Sequence, residues 1–354
     1  MKKNIFICHR PYHILRSCDF IHRERNPEAF NVLITFDVKL AGKDIYQRFS
    51  NNNIFYSSFD EVINISSMAV PSIKNIRLFY SYCKNRRKEY RTYIQNHFNA
   101  DSLYFFSDDE IDIQLLVGLF LENKKKSLKS VLVDEGMVTY SKRTHNSSWK
   151  YRLYSKIVTR TIGLKYFNYI GAYGSSNFYN HSIANNPERA FFKQPIDKMP
   201  LLSEEVCEKF RKRINVSFYS HYYYLYITTH LTPFEKEKKV INEIKKILAK
   251  YGINLYFKLH PQQDEALYKA VYSNDFFIDK SYPVELFYGK KAIIGGIGSS
   301  SIYNAVLQGY NAMDLSLLFD SKDLSFASMY GWLDITTIDS YQSFEKQIQI
   351  ILNN

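Results

Sequence analysis

One stretch in the second half of the chain combines a strand pattern with a polar end, and it reads Tyr256-Phe257-Lys258-Leu259-His260-Pro261. Its aromatic and apolar residues favour a buried strand. Pro261 ends that strand because it has no N–H to donate, and a residue before proline stays extended. Ligands bind at the carboxyl ends of strands in α/β sheets, so we expect His260 to lie at a site. The alternative is a strand-end histidine bonded to a backbone carbonyl.

Strands and helices alternate on both sides of this stretch, which predicts an α/β fold with parallel sheets. Strands are predicted at 4–8, 32–36, 103–106, 130–133, 222–229 and 292–296, and helices at 14–25, 73–98, 111–123 and 340–353, with others starting at 232 and after the serines at 299–301. Two Rossmann-like domains facing a central cleft follow, 1–200 and 201–354, with the passage near 187–215. The last helix either stays with the second domain or packs back on the first.

The composition of the chain indicates which kinds of partner and which cellular compartment to expect. The chain has 354 residues, 47 Lys and Arg against 35 Asp and Glu, and a net charge of +12. This excess favours anionic partners, such as a nucleotide-linked substrate or an acidic lipid surface. The four cysteines form no CxxC pair, so we expect a reducing compartment. No apolar run is long enough for a signal peptide or a membrane span.

A pair of acidic residues follows a predicted strand, in Asp134-Glu135-Gly136. Neighbouring side chains in an extended segment point to opposite faces, so one carboxylate can face a ligand while the other turns into the fold. Gly136 leaves room for a turn and for a ligand. A carboxylate placed there can remove a proton from a hydroxyl as a general base. The alternative is a turn with two solvated acids.

A second candidate site opens a helix, at Gly298-Ser299-Ser300-Ser301. Backbone N–H groups and the helix dipole make a helix N-terminus an anion site, which suits a phosphate. The turn is not a Walker A motif, because no Gly-Lys-Ser/Thr follows. Glu285, upstream, is a candidate acceptor for ribose hydroxyls. The alternatives are a plain serine N-cap for the turn and, for Glu285, a first-turn glutamate favoured by the helix dipole.

His260 could then act on a leaving phosphate while the carboxylate activates an acceptor hydroxyl. This chemistry needs no metal and no cofactor, and the chain has no Asp-x-Asp motif of the kind that holds a divalent ion on a nucleotide diphosphate. His9 and His13 flank a proline in the first predicted loop. Their spacing could bring them near an acceptor, although ordinary loop residues are the preferred interpretation.

Three motifs together resemble those of a known group of enzymes. Asp134-Glu135-Gly136 with Thr139-Tyr140 resembles the D/E-D/E-G motif of bacterial sialyltransferases. Lys258-Leu259-His260-Pro261 resembles their HP motif, and Ser299-Ser300-Ser301 resembles their serine-pair motif. The resemblance is greatest to the lipooligosaccharide sialyltransferases and the capsular polysialyltransferases.

The resemblance implies a GT-B fold, CMP-sialic acid as donor and inversion at the anomeric carbon. Our own candidates for the acceptor side are Gly136, His9 and His13. The resemblance implies Glu135 or Asp134 as the base. It implies that His260 acts on the CMP phosphate. It implies that the serines Ser299, Ser300 and Ser301 bind that phosphate. We add Lys258, Pro261, Glu285 and Gly298 as further candidates for donor binding. Three consecutive serines leave the register of the pair open by one.

The implied acceptor is a glycan of a capsule or lipooligosaccharide, lipid-linked or free, at the cytoplasmic face of the membrane. The alternatives are a GT-B transferase with another nucleotide sugar and a glycan-binding protein without turnover. RNA binding is disfavoured, because the chain has no RNP-type sequence, zinc knuckle or Arg-rich tract.

Overall fold

The computed structural model describes residues 1–37, 39–40, 43–44, 54–66, 68–72, 75–108, 110–124, 127–135, 160, 177–190, 192, 194–214, 221–229, 232–260, 263–319 and 333–353. They belong to two compact units, Met1–Leu201 and Leu202–Asn354.

The first unit is built on a parallel sheet with the strand order β5-β2-β1-β6-β7-β8-β9. Its strands are β1 Lys3–Cys8, β2 Phe30–Asp37, β5 Glu61–Ser66, β6 Ser102–Phe105, β7 Lys129–Val133, β8 His181–Ala184 and β9 Ile196–Lys198, with a separate antiparallel pair of β3 Lys39–Leu40 and β4 Lys43–Asp44. Its described helices of eight or more residues are α1 Pro11–Glu24, α2 Ile76–Ile94 and α3 Ile111–Asn123.

Continuous apolar runs explain the centre of this sheet. Strands of a parallel sheet covered on both faces read as unbroken hydrophobic segments. Ile5, Phe6 and Ile7 of β1 are buried, as are Val32, Leu33 and Ile34 of β2. These strands form one core with α2 and α3, and that core draws only on residues of the first unit.

The second unit repeats the same architecture, with the strand order β12-β11-β10-β13-β14-β15, all parallel. Its strands are β10 Tyr223–Ile227, β11 Asn254–Lys258, β12 Phe276–Ile278, β13 Ala292–Gly296, β14 Asn311–Asp314 and β15 Thr336–Thr337. Its helices are α4 Glu204–Arg213, α5 Phe234–Lys250, α6 Glu265–Val271, α7 Ser300–Leu307 and α8 Tyr341–Asn353.

The final helix, α8, packs within its own unit. Its buried residues Phe344, Ile348 and Ile351 belong to the core of the second unit. The ring of Phe344 meets Tyr224 of β10 edge-on, with centroids 5.5 Å apart. The buried face of this helix therefore packs in the core of the second unit. It is not the face with which the helix would pack back on the first domain.

The alternating pattern located the main elements, and the structure corrects some of their ends. Helix α1 begins at Pro11 rather than Ile14, because proline suits the first helical position. Helix α5 begins at Phe234 rather than at 232, with Pro233 as its N-cap residue and no side-chain cap. The Pro233 carbonyl accepts the N–H groups of Lys236 and Glu237. Strands β5, β8, β9, β12, β14 and β15 were not predicted.

Within the described part of the chain, every helix is too short or too polar to cross a bilayer.

The end of β13 is packed so closely that it requires glycine. A Cβ on Gly295 would lie 1.8 Å from the hydroxyl oxygen of Tyr224, and one on Gly296 would lie 2.3 Å from the carbonyl oxygen of Ile227. The Tyr224 ring is fully buried and cannot move aside without disturbing the core. Its hydroxyl has no hydrogen-bond partner among the described residues.

We therefore predict opposite effects on the free energy of unfolding for substitutions of Gly295 and Tyr224. Gly295→Ala should cost about 2 kcal/mol by overpacking, whereas Tyr224→Phe should stabilise the protein by about 1 kcal/mol because it removes an unsatisfied buried hydroxyl. Urea unfolding of both variants and of the double variant measures this. A Gly295→Ala cost that stays the same in the Tyr224→Phe background would contradict the proposed clash.

Candidate functional site

Three neighbouring strands bring the candidate residues of the first unit to one edge of the sheet. Ile7 of β1 pairs with Phe105 of β6, which pairs in turn with Leu132 of β7. The carboxyl ends of these strands are therefore level, and β1 and β7 are separated by two strand spacings, about 9.5 Å. Long side chains that follow these ends can meet across β6.

The two acids of the Asp-Glu pair have different surroundings. Asp134 is fully buried, and its Oδ2 accepts hydrogen bonds from the backbone N–H of Asn185 at 3.0 Å and from the Asn185 side-chain amide at 2.9 Å. It thereby ties the end of β7 to the residue that follows β8. The geometry gives Asp134 a structural task and leaves Glu135 as the acid that faces the site.

Glu135 lies in a cluster of charged and ionisable side chains from three segments. Its carboxylate forms an ion pair with Arg10, the residue before α1. The Nε2 of His9 lies 4.0 Å from Glu135 Oε1 and 3.1 Å from Oε1 of Glu110. Glu110 stands at the N-cap position of α3, yet its side chain makes no capping bond there. We call these four residues together with His13 the strand-end cluster.

Electrostatics fix the charge of two members of the strand-end cluster. Burial, with the nearby charges of His9 and Arg10, holds the pKa of His13 well below its usual value, so that ring is neutral. Burial of Glu110 raises the pKa of its carboxyl group. The nearby His9 and Arg10 outweigh this effect and lower that pKa to about 2. Glu110 is therefore a carboxylate at any working pH.

The rings of the two histidines are locked by packing. His13 stacks on Phe106 with centroids 4.2 Å apart, and His9 meets His13 edge-on at 4.3 Å. The sequence analysis preferred ordinary loop residues for both histidines. The structure places His9 just after β1 and His13 inside α1, and both side chains are buried.

Donor atoms of His9, His13 and Glu135 all lie within 4.8 Å of one another, a spacing that could hold a metal ion. Two contacts argue for a different use of these groups. Arg10 already pairs with Glu135, and the Nδ1 of His13 accepts a hydrogen bond from the His9 backbone N–H at 3.5 Å. A metal-bound histidine instead donates its second ring N–H to a partner.

The second unit positions His260 through its backbone. The His260 N–H donates to Oγ1 of Thr228 at 2.8 Å, and the His260 carbonyl accepts from the N–H of Gln263 at 2.9 Å. Thr228 and Gln263 are also hydrogen-bonded to each other through their side chains. His260 is thus held from two sides, just past the end of β11.

A buried acid anchors this arrangement. Glu237 of α5 is fully buried and accepts hydrogen bonds from the hydroxyls of Tyr226 and Tyr268 and from the side-chain amide of Gln263. Burial raises the pKa of Glu237, while these donors oppose the rise. The network fixes Gln263, and Gln263 in turn fixes the loop that carries His260.

Gly298 and the serines form the turn after β13. Gly298 has φ of 55°, in the left-handed region that glycine adopts most readily. Ser299 is the N-cap of α7, and its side chain accepts the N–H of Ser301 at 3.3 Å, while Ser300 begins the helix. Because Ile227 pairs with both Lys258 and Gly296, the turn lies two strand spacings from His260.

Lys258 and Glu285 lie beside this edge. The Lys258 ammonium donates to the carbonyl oxygens of Asp279 at 2.7 Å and Tyr282 at 2.6 Å. Burial lowers its pKa, and the charges of Asp279 and Glu285 oppose this. Glu285 lies buried in the short 3-10 turn Val284–Phe287 rather than at the start of a helix. Lys258 therefore braces the segment that leads to Glu285.

Gly136 and Pro261 lie outside the described residues. Sequence reasoning missed Arg10, Glu110, Thr228 and Gln263. Thr228 carried one usable signal, because it is the first polar residue after an apolar strand. Gln263 carried none, since its role depends on a network that only the fold brings together.

The different surroundings of the acidic pair can be tested by stability. Asp134→Asn should lower the free energy of unfolding by about 2 kcal/mol, because it weakens two hydrogen bonds to a buried charge and turns a donor toward donors. Glu135→Gln, in the partly open strand-end cluster, should cost less. Urea unfolding of both variants measures the difference, and a larger loss for Glu135→Gln would reverse the assignment.

Comparison with known proteins was made against families, curated proteins and solved structures. The family model for alpha-2,8-polysialyltransferase (POLYST) matches residues 4–310. No curated protein matches the chain.

Solved structures show what fold the chain shares. The chain is similar to the UDP-GlcNAc 2-epimerase of Neisseria meningitidis bound to UDP-GlcNAc, with TM-score 0.57 and 10% identity over 99% of this chain and 91% of that chain. It is similar to S. aureus MnaA with UDP, with TM-score 0.56 and 10% identity over 100% and 88%. The chain is also similar to the Methanocaldococcus jannaschii UDP-GlcNAc 2-epimerase with UDP-GlcNAc and UDP. The TM-score is 0.53 and the sequence identity is 13%, over 100% of this chain and 93% of that chain.

These structural similarities confirm the predicted GT-B-like α/β class, and at such low identity they bear on fold alone. The family match spans nearly the whole chain and confirms the resemblance seen in the three motifs. The chain belongs to the alpha-2,8-polysialyltransferase family and is a glycosyltransferase that transfers sialic acid.

Proposed function

We propose that this enzyme transfers sialic acid from CMP-sialic acid to a hydroxyl of a surface glycan, with inversion and without a metal ion. The observation that carries the proposal is the pair of ionisable groups at strand ends, Glu135 in the first unit and His260 in the second. Each lies where an α/β sheet binds ligands.

In this proposal the first unit binds the acceptor and supplies the base. Glu135 accepts the proton of the acceptor hydroxyl as its oxygen attacks the anomeric carbon of the sialyl group. Arg10 pairs with the carboxylate and orients it before the reaction. Direct attack on the face opposite the leaving CMP gives inversion.

The second unit binds the donor. The bond from the anomeric carbon to the CMP phosphate oxygen breaks, and negative charge develops on that phosphate. His260 donates a hydrogen bond or a proton to it, and the turn from Gly298 to Ser301 provides N–H and hydroxyl donors. Glu285 is placed to accept from the ribose, and Lys258 stabilises the segment that carries it.

Metal independence is supported by the groups already present. The phosphate of the donor carries one negative charge, and a further negative charge develops on it as CMP leaves. His260 and a helix N-terminus can stabilise that charge. In the strand-end cluster, the cation beside Glu135 is the Arg10 guanidinium.

We further propose that the enzyme works on the cytoplasmic side, in peripheral contact with the acidic membrane surface. The net charge of +12 supports attraction to anionic lipid and to an anionic donor. All four cysteines, Cys8, Cys18, Cys83 and Cys207, are free and buried, which suits a reducing compartment. The acceptor is a capsule or lipooligosaccharide glycan.

The donor is tested by incubating the purified enzyme with CMP-sialic acid and EDTA, without acceptor, and following CMP release. We expect slow, EDTA-resistant release that His260→Ala lowers by about 100-fold or more. A His22→Ala variant, changed on α1 in the other unit, serves as control. If the enzyme neither releases CMP nor binds CMP-sialic acid, the choice of donor is wrong. A screen of UDP- and GDP-sugars would then separate a related transferase from a glycan-binding protein.

The base is tested by transfer to a sialylated oligosaccharide acceptor. Glu135→Gln should lower kcat by about 100-fold to 10,000-fold, the usual range for a general base, while the Kd for CMP stays unchanged. Asp134→Asn should lower kcat much less at a temperature where it remains folded. Transfer retained by Glu135→Gln would contradict the assigned role.

A further inference from the structure

The strand-end cluster has a feature that proton abstraction alone does not use. Glu135 must lose the proton it has taken before it can act again. Its side chain is only 7% exposed and one of its oxygens is paired with Arg10. Direct exchange of that proton with bulk water is therefore restricted.

His9 lies between this acid and a second carboxylate. Its Nε2 is 4.0 Å from Glu135 Oε1 and 3.1 Å from Glu110 Oε1. Glu135 and His9 are both buried, with 7% and 3% of their side chains exposed, whereas 45% of the Glu110 side chain is exposed. The buried end of the row is the proposed base, and the other end is in water.

We propose that His9 and Glu110 form a proton exit for Glu135, an inference that rests on the proposed role of Glu135 as general base.

The proton balance is simple. After transfer, Glu135 is a neutral acid. His9 in its neutral form accepts that proton at Nε2 and becomes an imidazolium, the form whose charge lowers the pKa of Glu110. His9 then releases the same proton to the Glu110 carboxylate, and Glu110 passes it to water. No other bond forms or breaks, and both carboxylates and the imidazole return to their starting states.

The packing of His9 suits this task. Neither ring nitrogen of His9 makes a regular hydrogen bond to a described residue. Nδ1 can therefore hold one ring proton while Nε2 lies 3.1 Å from Glu110 Oε1 and 4.0 Å from Glu135 Oε1. His13, edge-on at 4.3 Å, packs against one side of the His9 ring and limits how far that ring can turn. The charged and titratable groups that face His9 from the described segments are Arg10, His13, Glu110 and Glu135.

Because Glu110 is ionised, its carboxylate attracts the imidazolium of His9, and a proton that it accepts passes readily to water. Glu110 lies at the N-terminus of α3, where the helix dipole favours a negative charge. Its carboxylate does not cap the helix and is directed at His9 instead. His9 and Glu110 act through Glu135, so they are positioning residues rather than catalytic residues.

The same unit contains a matched control. His97 is 5% exposed, its Nε2 lies 3.3 Å from Oε1 of Glu61, which is 42% exposed, and its Nδ1 also lacks a partner among the described residues. This pair reproduces the His9–Glu110 pair in burial and distance but lies away from Glu135. Substitution of His97 therefore reports the structural cost of losing such a pair.

The test compares His9→Ala, Glu110→Gln and His97→Ala in the full-length enzyme, with CMP-sialic acid and a sialylated oligosaccharide. His9→Ala should lower kcat by about 100-fold, with the donor KM unchanged, and added imidazole should restore part of the activity. Glu110→Gln should lower kcat less, with an increased solvent deuterium isotope effect. His97→Ala should retain the wild-type kcat and show no response to imidazole.

The proton exit would be refuted if His9→Ala retained kcat within twofold of wild type. It would equally be refuted if the loss came with a raised KM and did not respond to imidazole, which would mean a structural role. Glu110→Gln, changed at an exposed side chain, keeps the test valid if His9→Ala does not fold. Absence of transfer by the wild-type enzyme would instead refute the proposed function itself.

Discussion

The pairing of parallel strands in register is the constraint on which the rest of this protein depends. It brings the carboxyl ends of adjacent strands level, so that polar residues following separate strands meet at one edge. In the first unit it brings His9 and Glu135 within 4.0 Å of each other, and in the second it sets His260 and the turn at Gly298 on either side of β10. Chemistry then requires only the right side chain one or two residues past each strand.

Buried charge is handled in two ways in this structure. Asp134 and Glu237 lie fully buried, and each is surrounded by donors, which offsets the cost of removing a charge from water. They hold loops in place. Glu135 is paired with a half-exposed arginine and lies near a histidine, so its surroundings can change as it gains and loses a proton. This contrast separates acids that maintain the fold from the one that we propose reacts.

The sequence was sufficient where a local pattern carried the information. Long apolar strands ending on polar residues located β1, β7, β11 and β13, and with them the motifs. Strands such as β8 and β9, of four and three residues, are too short to show periodicity. The orientation of Asp134 depends on Asn185, 51 residues away, and Glu110 reaches His9 only in the folded sheet. Such contacts leave no mark on neighbouring residues.

Separate hydrophobic cores have a consequence for how this protein can change over time. One core draws only on residues up to Phe192 and the other only on residues from Tyr224 onward. Recombination near Leu201 would therefore leave each set of packed side chains intact. Relatives could exchange halves as modules, and chimaeras joined there offer protein engineers a route to assort independently the donor and acceptor preferences that we propose for the two units.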